Sequence, residues 1–157
     1  MPRKIDPDTI GFLISDVARL LRAEFDRRTS DAGLGLSPGE ARALSQVARA
    51  GSVRQSVLAE RMGVEAMTLS AYVDKLEARG LVERAQDPSD RRAKLVGITE
   101  AAKPVLEDII RTSVALRNDM SGGLAADKVE ELRVMLKQIR ANLVGMKPEC
   151  SRKSSAA

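Results

Sequence analysis

Apolar residues near the start of the chain fall into a stripe. Ile10, Leu13, Ile14, Val17, Leu20, Leu21 and Phe25 recur at steps of three and four, which predicts an amphipathic helix over residues 8–30 with Arg19, Arg22, Arg27 and Arg28 on its other face. Gly33 and Gly35 break the stripe. Ser37, Pro38 and Glu40 then supply an N-cap, a first-turn proline and the carboxylate of a capping box. A second helix starts there and runs through Leu44 and Val47 to about residue 49, where Gly51 and Ser52 interrupt it.

The next segments are shorter. Val57, Leu58 and Met62 mark a helix over residues 55–62, Gly63 and Val64 a tight turn, and residues 66–79 another helix ending at Gly80. Two short helices around a glycine turn read as helix-turn-helix. The period then changes: residues 81–85 and 94–98 read as antiparallel strands around a polar loop, 86–93, whose tip carries Asp87, Pro88, Asp90, Arg91 and Arg92. Thr99 fits an N-cap for a long helix through Val105, Leu106, Ile109, Ile110 and Val114 to about residue 121, where Gly122 and Gly123 end it. A last helix over residues 125–146 places Val129, Leu132, Leu136, Ile139, Leu143 and Met146 at alternating steps of three and four, a seam that wants a partner helix. The tail, 147–157, reads as disordered.

Composition narrows the chemistry. The chain has 157 residues, 43% hydrophobic and 31% charged, which suits one small domain with long helices attached. No apolar run approaches the roughly 18 residues of a membrane span, and residues 1–8 do not read as a signal peptide, so a cytoplasmic protein is expected. There is no histidine, which removes histidine-based catalytic dyads and triads and imidazole metal ligands. The single Cys150, in the tail, can form neither an intramolecular disulfide nor a Cys-rich metal site. Gly33-Leu34-Gly35 lacks the third glycine of a dinucleotide fingerprint. No catalytic residue, metal or cofactor is expected.

Helix, helix-turn-helix and charged hairpin, in that order, predict a mainly α fold with a small β-hairpin wing. Specific runs sharpen this. Leu58, Ala59, Glu60, Arg61, Met62, Gly63 and Val64, then Thr68 and Ser70, then the stretch from Asp74 to Arg84, resemble the MarR family of transcriptional regulators. The wing, Asp87, Pro88, Ser89, Asp90, Arg91, Arg92, Ala93 and Lys94 followed by Ile98, Thr99 and Glu100, is the most specific part and resembles the family's SlyA-like branch. The resemblance covers about residues 10–143. It implies a homodimer joined through the terminal helices, with a DNA-binding lobe at 37–99 and a dimerisation region formed by 8–36 and 100–146. Ile10, Leu13, Leu132, Leu136, Ile139 and Leu143 are the expected dimer contacts.

The implied partner is double-stranded DNA carrying a palindromic operator. A recognition helix fits the major groove, and a twofold dimer reads half-sites about one turn apart, roughly 34–36 Å. Thr68 and Ser70 can bond bases or phosphates, Tyr72 a phosphate, Lys75 a phosphate or guanine, and Gln55 the backbone. The family comparison makes Arg92 the side chain that enters the minor groove, held by an ion pair to Asp90, with Arg91 and Lys94 on phosphates. Ala71 departs from the pattern, since many relatives carry a long polar residue there; it can meet a thymine methyl instead. Residues 51–100 hold eight basic and eight acidic side chains, so attraction to phosphate requires local segregation of charge.

The resemblance also implies a small aromatic or anionic effector between the dimer helices and the lobe, where Phe12, Leu13, Val17, Arg19 and Arg42 can offer an apolar site with a cation. The first helix lacks the cysteine of the oxidation-sensing branch. Repression is the family's commoner mode. The alternative reading is a winged-helix dimer that acts through protein partners or binds DNA without sequence preference.

Overall fold

The computed structural model describes residues 5–146, so the expected tail 147–157, with Cys150, lies outside the described residues. The elements run α1 (Ile10–Asp31), α2 (Pro38–Ala50), β1 (Ser52–Arg54), α3 (Gln55–Met62), α4 (Ala66–Ala78), β2 (Val82–Asp87), β3 (Asp90–Ile98), α5 (Lys103–Met120) and α6 (Ala126–Gly145), with a 3-10 turn at Glu100–Ala102 before α5. This is the expected class, mainly helical with a small antiparallel sheet. Two units divide after Arg117.

In the first unit, α2 begins where its capping residues place it. The Glu40 N–H donates to Ser37 Oγ at 3.3 Å and the Ser37 N–H to Glu40 Oε2 at 3.2 Å, so each backbone amide is satisfied by the other residue's side chain. Leu44 and Val47 of α2, Leu58 of α3, Leu69, Val73 and Leu76 of α4, and Val82 and Val96 of the sheet are fully buried and form one core, joined by Ile109 of α5. Removing this much aliphatic surface from water holds the lobe together. By contrast α1 buries only Thr29, whose hydroxyl donates to the carbonyls of Phe25 (2.9 Å) and Asp26 (3.1 Å). Ile10, Phe12, Leu13, Ile14, Val17 and Leu20 are exposed along it.

The sheet order is β1-β3-β2, both pairs antiparallel. β1, with Val53 opposite Val96, is too short to leave a period in the sequence and was not expected. The wing strands also run further than their apolar residues suggest. β2 and β3 pair out to Asp87 opposite Asp90, with an irregularity at Gln86/Asp87, so the expected loop 86–93 shrinks to a turn at Pro88 and Ser89. Charged side chains do not prevent backbone pairing on an exposed ribbon, and the Ser89 N–H closes the turn on Asp87 Oδ1 at 2.8 Å. Thr99 does not cap the long helix either. Its hydroxyl donates to the Gly80 carbonyl, and the 3-10 turn separates it from α5.

In the second unit, α6 has the expected length and buries none of its residues. Leu132, Leu136 and Leu143 are exposed on it and Ile139 is half-buried.

Candidate nucleic-acid interface

The helix-turn-helix rests on one glycine. Gly63 ends α3 with φ +63°, a left-handed conformation that side-chain-bearing residues rarely adopt, and the Val64 N–H donates back to the Ala59 carbonyl at 3.1 Å. The chain reverses within three residues and enters α4. With Leu69, Val73 and Leu76 committed to the core, α4 turns Met67, Thr68, Ala71, Asp74 and Lys75 to the surface.

Beside this face lies a groove of about 490 Å³, lined by Gln55 and Ser56 of α3, Ser70 and Asp74 of α4, Arg84 of β2, and Asp90, Arg92, Ala93 and Lys94 of β3. Arg84 is its centre. Its Nη2 donates to Asp74 Oδ1 at 2.6 Å, its Nη1 to Glu77 Oε2 at 2.6 Å, its Nε to Gln55 Oε1 at 3.1 Å, and the Ser70 carbonyl lies 3.5 Å away. The side chain is only 13% exposed. Burial works against the charge, but the hydrogen bonds it donates to Asp74 and Glu77 outweigh that and raise the guanidinium above its ordinary pKa. One planar cation therefore bonds β2 to both helices of the helix-turn-helix motif.

A second arginine holds the wing tip. Arg54 Nε donates to Asp87 Oδ2 at 2.5 Å and its Nη2 to Ser89 Oγ at 3.1 Å. The Ser89 hydroxyl, the Ser89 N–H and the Arg54 guanidinium together lower the Asp87 pKa from 3.8 to about 2. Neither Arg54 nor Arg84 stood out in the sequence as a site residue. Their partners are more than 25 positions away or on other elements, and no local pattern announces such a convergence.

Of the DNA-binding residues expected from sequence, the groove brings together Gln55, Ser70, Asp90, Arg92 and Lys94. The Gln55 carbonyl oxygen is engaged by Arg84. Asp90 does not pair with the Arg92 guanidinium as expected; its Oδ1 accepts the Arg92 backbone N–H at 3.0 Å, a two-residue carboxylate turn, and both residues are exposed. Arg91 and Lys94 are exposed on the same strand, and the Arg91 carbonyl accepts from Gln86 Nε2 at 3.0 Å. Thr68 and Ala71 sit on the outer face of α4. Lys75 Nζ lies 3.5 Å from Glu40 Oε1 of α2, so the lysine expected to meet DNA also neutralises a buried carboxylate. Tyr72 is half-buried with its ring tip over Gly39: a methyl built on Gly39 would stand 2.3 Å from Tyr72 Cζ, so only glycine admits the ring.

The expected effector residues separate. Phe12, Leu13, Val17 and Arg19 lie on the exposed part of α1, where Arg19 pairs with Asp16 at 3.4 Å. Arg42 lines a different place, a cleft of about 320 Å³ walled by Leu21, Arg22, Phe25, Gln46, Arg61, Met62 and Leu116, and it pairs with Asp26 at 2.8 Å. Among the described residues no acidic or cysteine cluster could hold a metal, and no helix is long and apolar enough to cross a membrane.

Two outcomes follow from the arginine clamps. Arg84→Gln should lower the unfolding free energy by roughly 1–3 kcal/mol, because it strips two carboxylates and a side-chain amide of a charged donor; equilibrium denaturation checks this. For Asp87 the folded pKa lies below the unfolded one, so its contribution is complete above about pH 4 and is lost as pH falls toward 2. The gap in denaturation midpoint between wild type and Asp87→Asn should hold steady above pH 4 and close between about pH 4 and 2.

Comparison with known proteins places this geometry. Residues 34–93, which contain α2, α3, α4 and most of the wing, match the model of the MarR family. A MarR-family transcriptional regulator from Rhodococcus sp. RHA1 is 29% identical with a TM-score of 0.72 over 87% of this chain and 95% of that one. CouR from Rhodococcus jostii RHA1, solved bound to p-coumaroyl-CoA, is 28% identical with a TM-score of 0.66 over 84% of this chain and 91% of that one. Wild-type MarR from E. coli, at 24% identity and a TM-score of 0.69 over 87% and 98%, shares the fold. The helix-turn-helix and most of the wing thus lie inside the residues that match the MarR family, and the chain as a whole is similar in fold to winged-helix transcriptional regulators of that family.

Proposed function

We propose that this regulator is a homodimer that reads a palindromic site in double-stranded DNA and represses transcription from it until a small aromatic or anionic effector binds. The observation that carries this is the groove between α4 and the wing, where Gln55, Ser70, Arg92 and Lys94 converge. In this reading α4 enters the major groove with Thr68, Ser70 and Ala71 toward base edges, and Tyr72 and Lys75 reach the backbone only by giving up part of their contacts to α2. Arg92 enters the minor groove, its backbone held by Asp90, while Arg91 and Lys94 meet phosphates. Such a protein works at the chromosome, in the cytoplasm.

The dimer reading rests on Ile10, Leu13, Leu132, Leu136 and Leu143, exposed on helices that bury little else, and on half-buried Ile139. In this reading residues 8–36 and 100–146 serve dimerisation and 37–99 DNA binding. For the effector, the cleft at Arg42 replaces the upstream face of α1. Leu21, Phe25, Met62 and Leu116 suit an aromatic body, and Arg22, Arg42 and Arg61 an anion. That CouR was solved with an aromatic acyl-CoA supports an effector of this kind. Release needs only that the ligand prefer a dimer with misplaced α4 helices, and a coupling of about 1–3 kcal/mol changes affinity 5- to 150-fold.

Selection from a random duplex library at about 0.15 M salt should enrich an inverted repeat with half-sites roughly 34–36 Å apart; salt-sensitive binding without enrichment would refute sequence-specific reading. On the enriched duplex, Arg92→Ala should lose roughly tenfold or more in affinity and reduce the salt slope by about 0.9, leaving the dimer intact. Full-strength binding would remove the wing from the mechanism. Glutamates at both Leu132 and Leu136 should dissociate the dimer in sedimentation, and a monomer that still binds the repeat at full strength would exclude the α6 seam.

A further inference from the structure

The reading face of α4 is unusual in what it lacks. Its sequence, from Ala66 to Ala78, contains no Arg, Asn or Gln, the side chains that grip guanine or adenine through paired hydrogen bonds. Its longer polar groups are engaged within the protein. Asp74, which could accept from cytosine, is bonded to Arg84 at 2.6 Å and Lys75 is paired with Glu40, which leaves the short hydroxyls of exposed Thr68 and half-buried Ser70. Hydrogen-bond readout by this helix is therefore sparse.

What it presents instead is apolar. Met67, in the first turn, is 86% exposed, the most exposed large hydrophobic side chain among the described residues. It is not a displaced core residue, because Leu69, Val73 and Leu76 already fill the inward positions of the helix completely. Ala71 follows four residues later and is also exposed, so the two side chains lie one above the other on a single face. This strip sits at the N-terminal part of the helix, the part that touches base edges when a recognition helix lies in the major groove, and it adjoins the groove at the wing. Two side chains are far too few for a protein interface, which needs about 800 Å² from each partner. They do match a single methyl or a pair of them.

We infer that Met67 and Ala71 read thymine C5-methyl groups, so that part of the operator's specificity comes from apolar contact and not from hydrogen bonds. In the major groove only thymine offers such a group, and covering it removes apolar surface from water on both sides. This rests on the DNA-reading function proposed above and adds which base, and which of its atoms, the helix detects.

The test uses the full chain and the duplex recovered by selection. Each thymine is replaced in turn by deoxyuridine, which keeps the pairing, the hydrogen-bonding edge and the phosphate charge and removes only the methyl. Affinity should fall about fourfold for each contacted methyl, at one or two positions per half-site, and by the square of that when symmetric positions are changed together. At those positions the thymine-to-uracil ratio should collapse toward one in Met67→Ala or in Ala71→Gly, and should persist in Arg92→Ala, whose affinity is lower overall. Because each ratio is taken on one variant, general losses of stability cancel. An inverted repeat bound equally well with thymine or uracil would overturn this inference alone, as would a ratio that neither α4 variant changes. Failure to enrich any repeat would overturn the DNA-reading function and this inference with it.

Discussion

The wing is a two-stranded ribbon with few apolar side chains of its own, and such a ribbon has little reason to hold a fixed angle to a neighbouring helix. Arg84 supplies that reason. Its guanidinium reaches two carboxylates on α4 and the amide oxygen of Gln55 at the start of α3, from a strand leading to the wing tip. Lysine could offer the charge but not the fixed planar fork that reaches three acceptors at once. Arg92, Lys94 and Ser70 border the groove that has this contact at its centre.

The same contact resolves a difficulty of charge. Residues 51–100, with as many acids as bases, have no net attraction for phosphate. Asp74 and Glu77, on the exposed side of α4, would repel DNA if unpaired, and Arg84 absorbs both. Asp87 is likewise bound by Arg54, and Glu40 is buried beneath Lys75. The carboxylates near the groove are thus mostly occupied, while Arg91, Arg92 and Lys94 remain exposed on one strand. Segregation here is achieved by pairing within the protein more than by distance.

Features whose cause is local were legible in the sequence. Ser37, Pro38 and Glu40 announced the start of α2 to the residue, Gly63 announced the turn of the helix-turn-helix, and spacings of three and four gave α1 and α6. Features whose cause lies across the chain were not. β1 exists because β3 offers it an edge, and the wing strands extend through charged residues because backbone pairing is indifferent to them. The ion pair expected between Asp90 and Arg92 gave way to a backbone contact two residues apart, which spacing alone cannot distinguish. Of the expected effector residues, Phe12, Leu13, Val17 and Arg19 lie on α1 away from the described cleft and Arg42 lines it. The cleft draws on α2, α3 and α5 as well as the later turns of α1, a convergence that no single periodicity contains.

Tyr72 on Gly39 and Lys75 on Glu40 give α2 two loads to carry. Those contacts sit in its first turn, and Arg42 and Gln46, a little further along the same 13-residue helix, form part of the cleft wall. A hydrogen-bonded helix is stiff over so short a span, so it moves more readily as a rod than by bending. The cleft and the seat of α4 therefore share a beam. A molecule wedged against its middle cannot shift that beam without also moving the floor on which α4 stands.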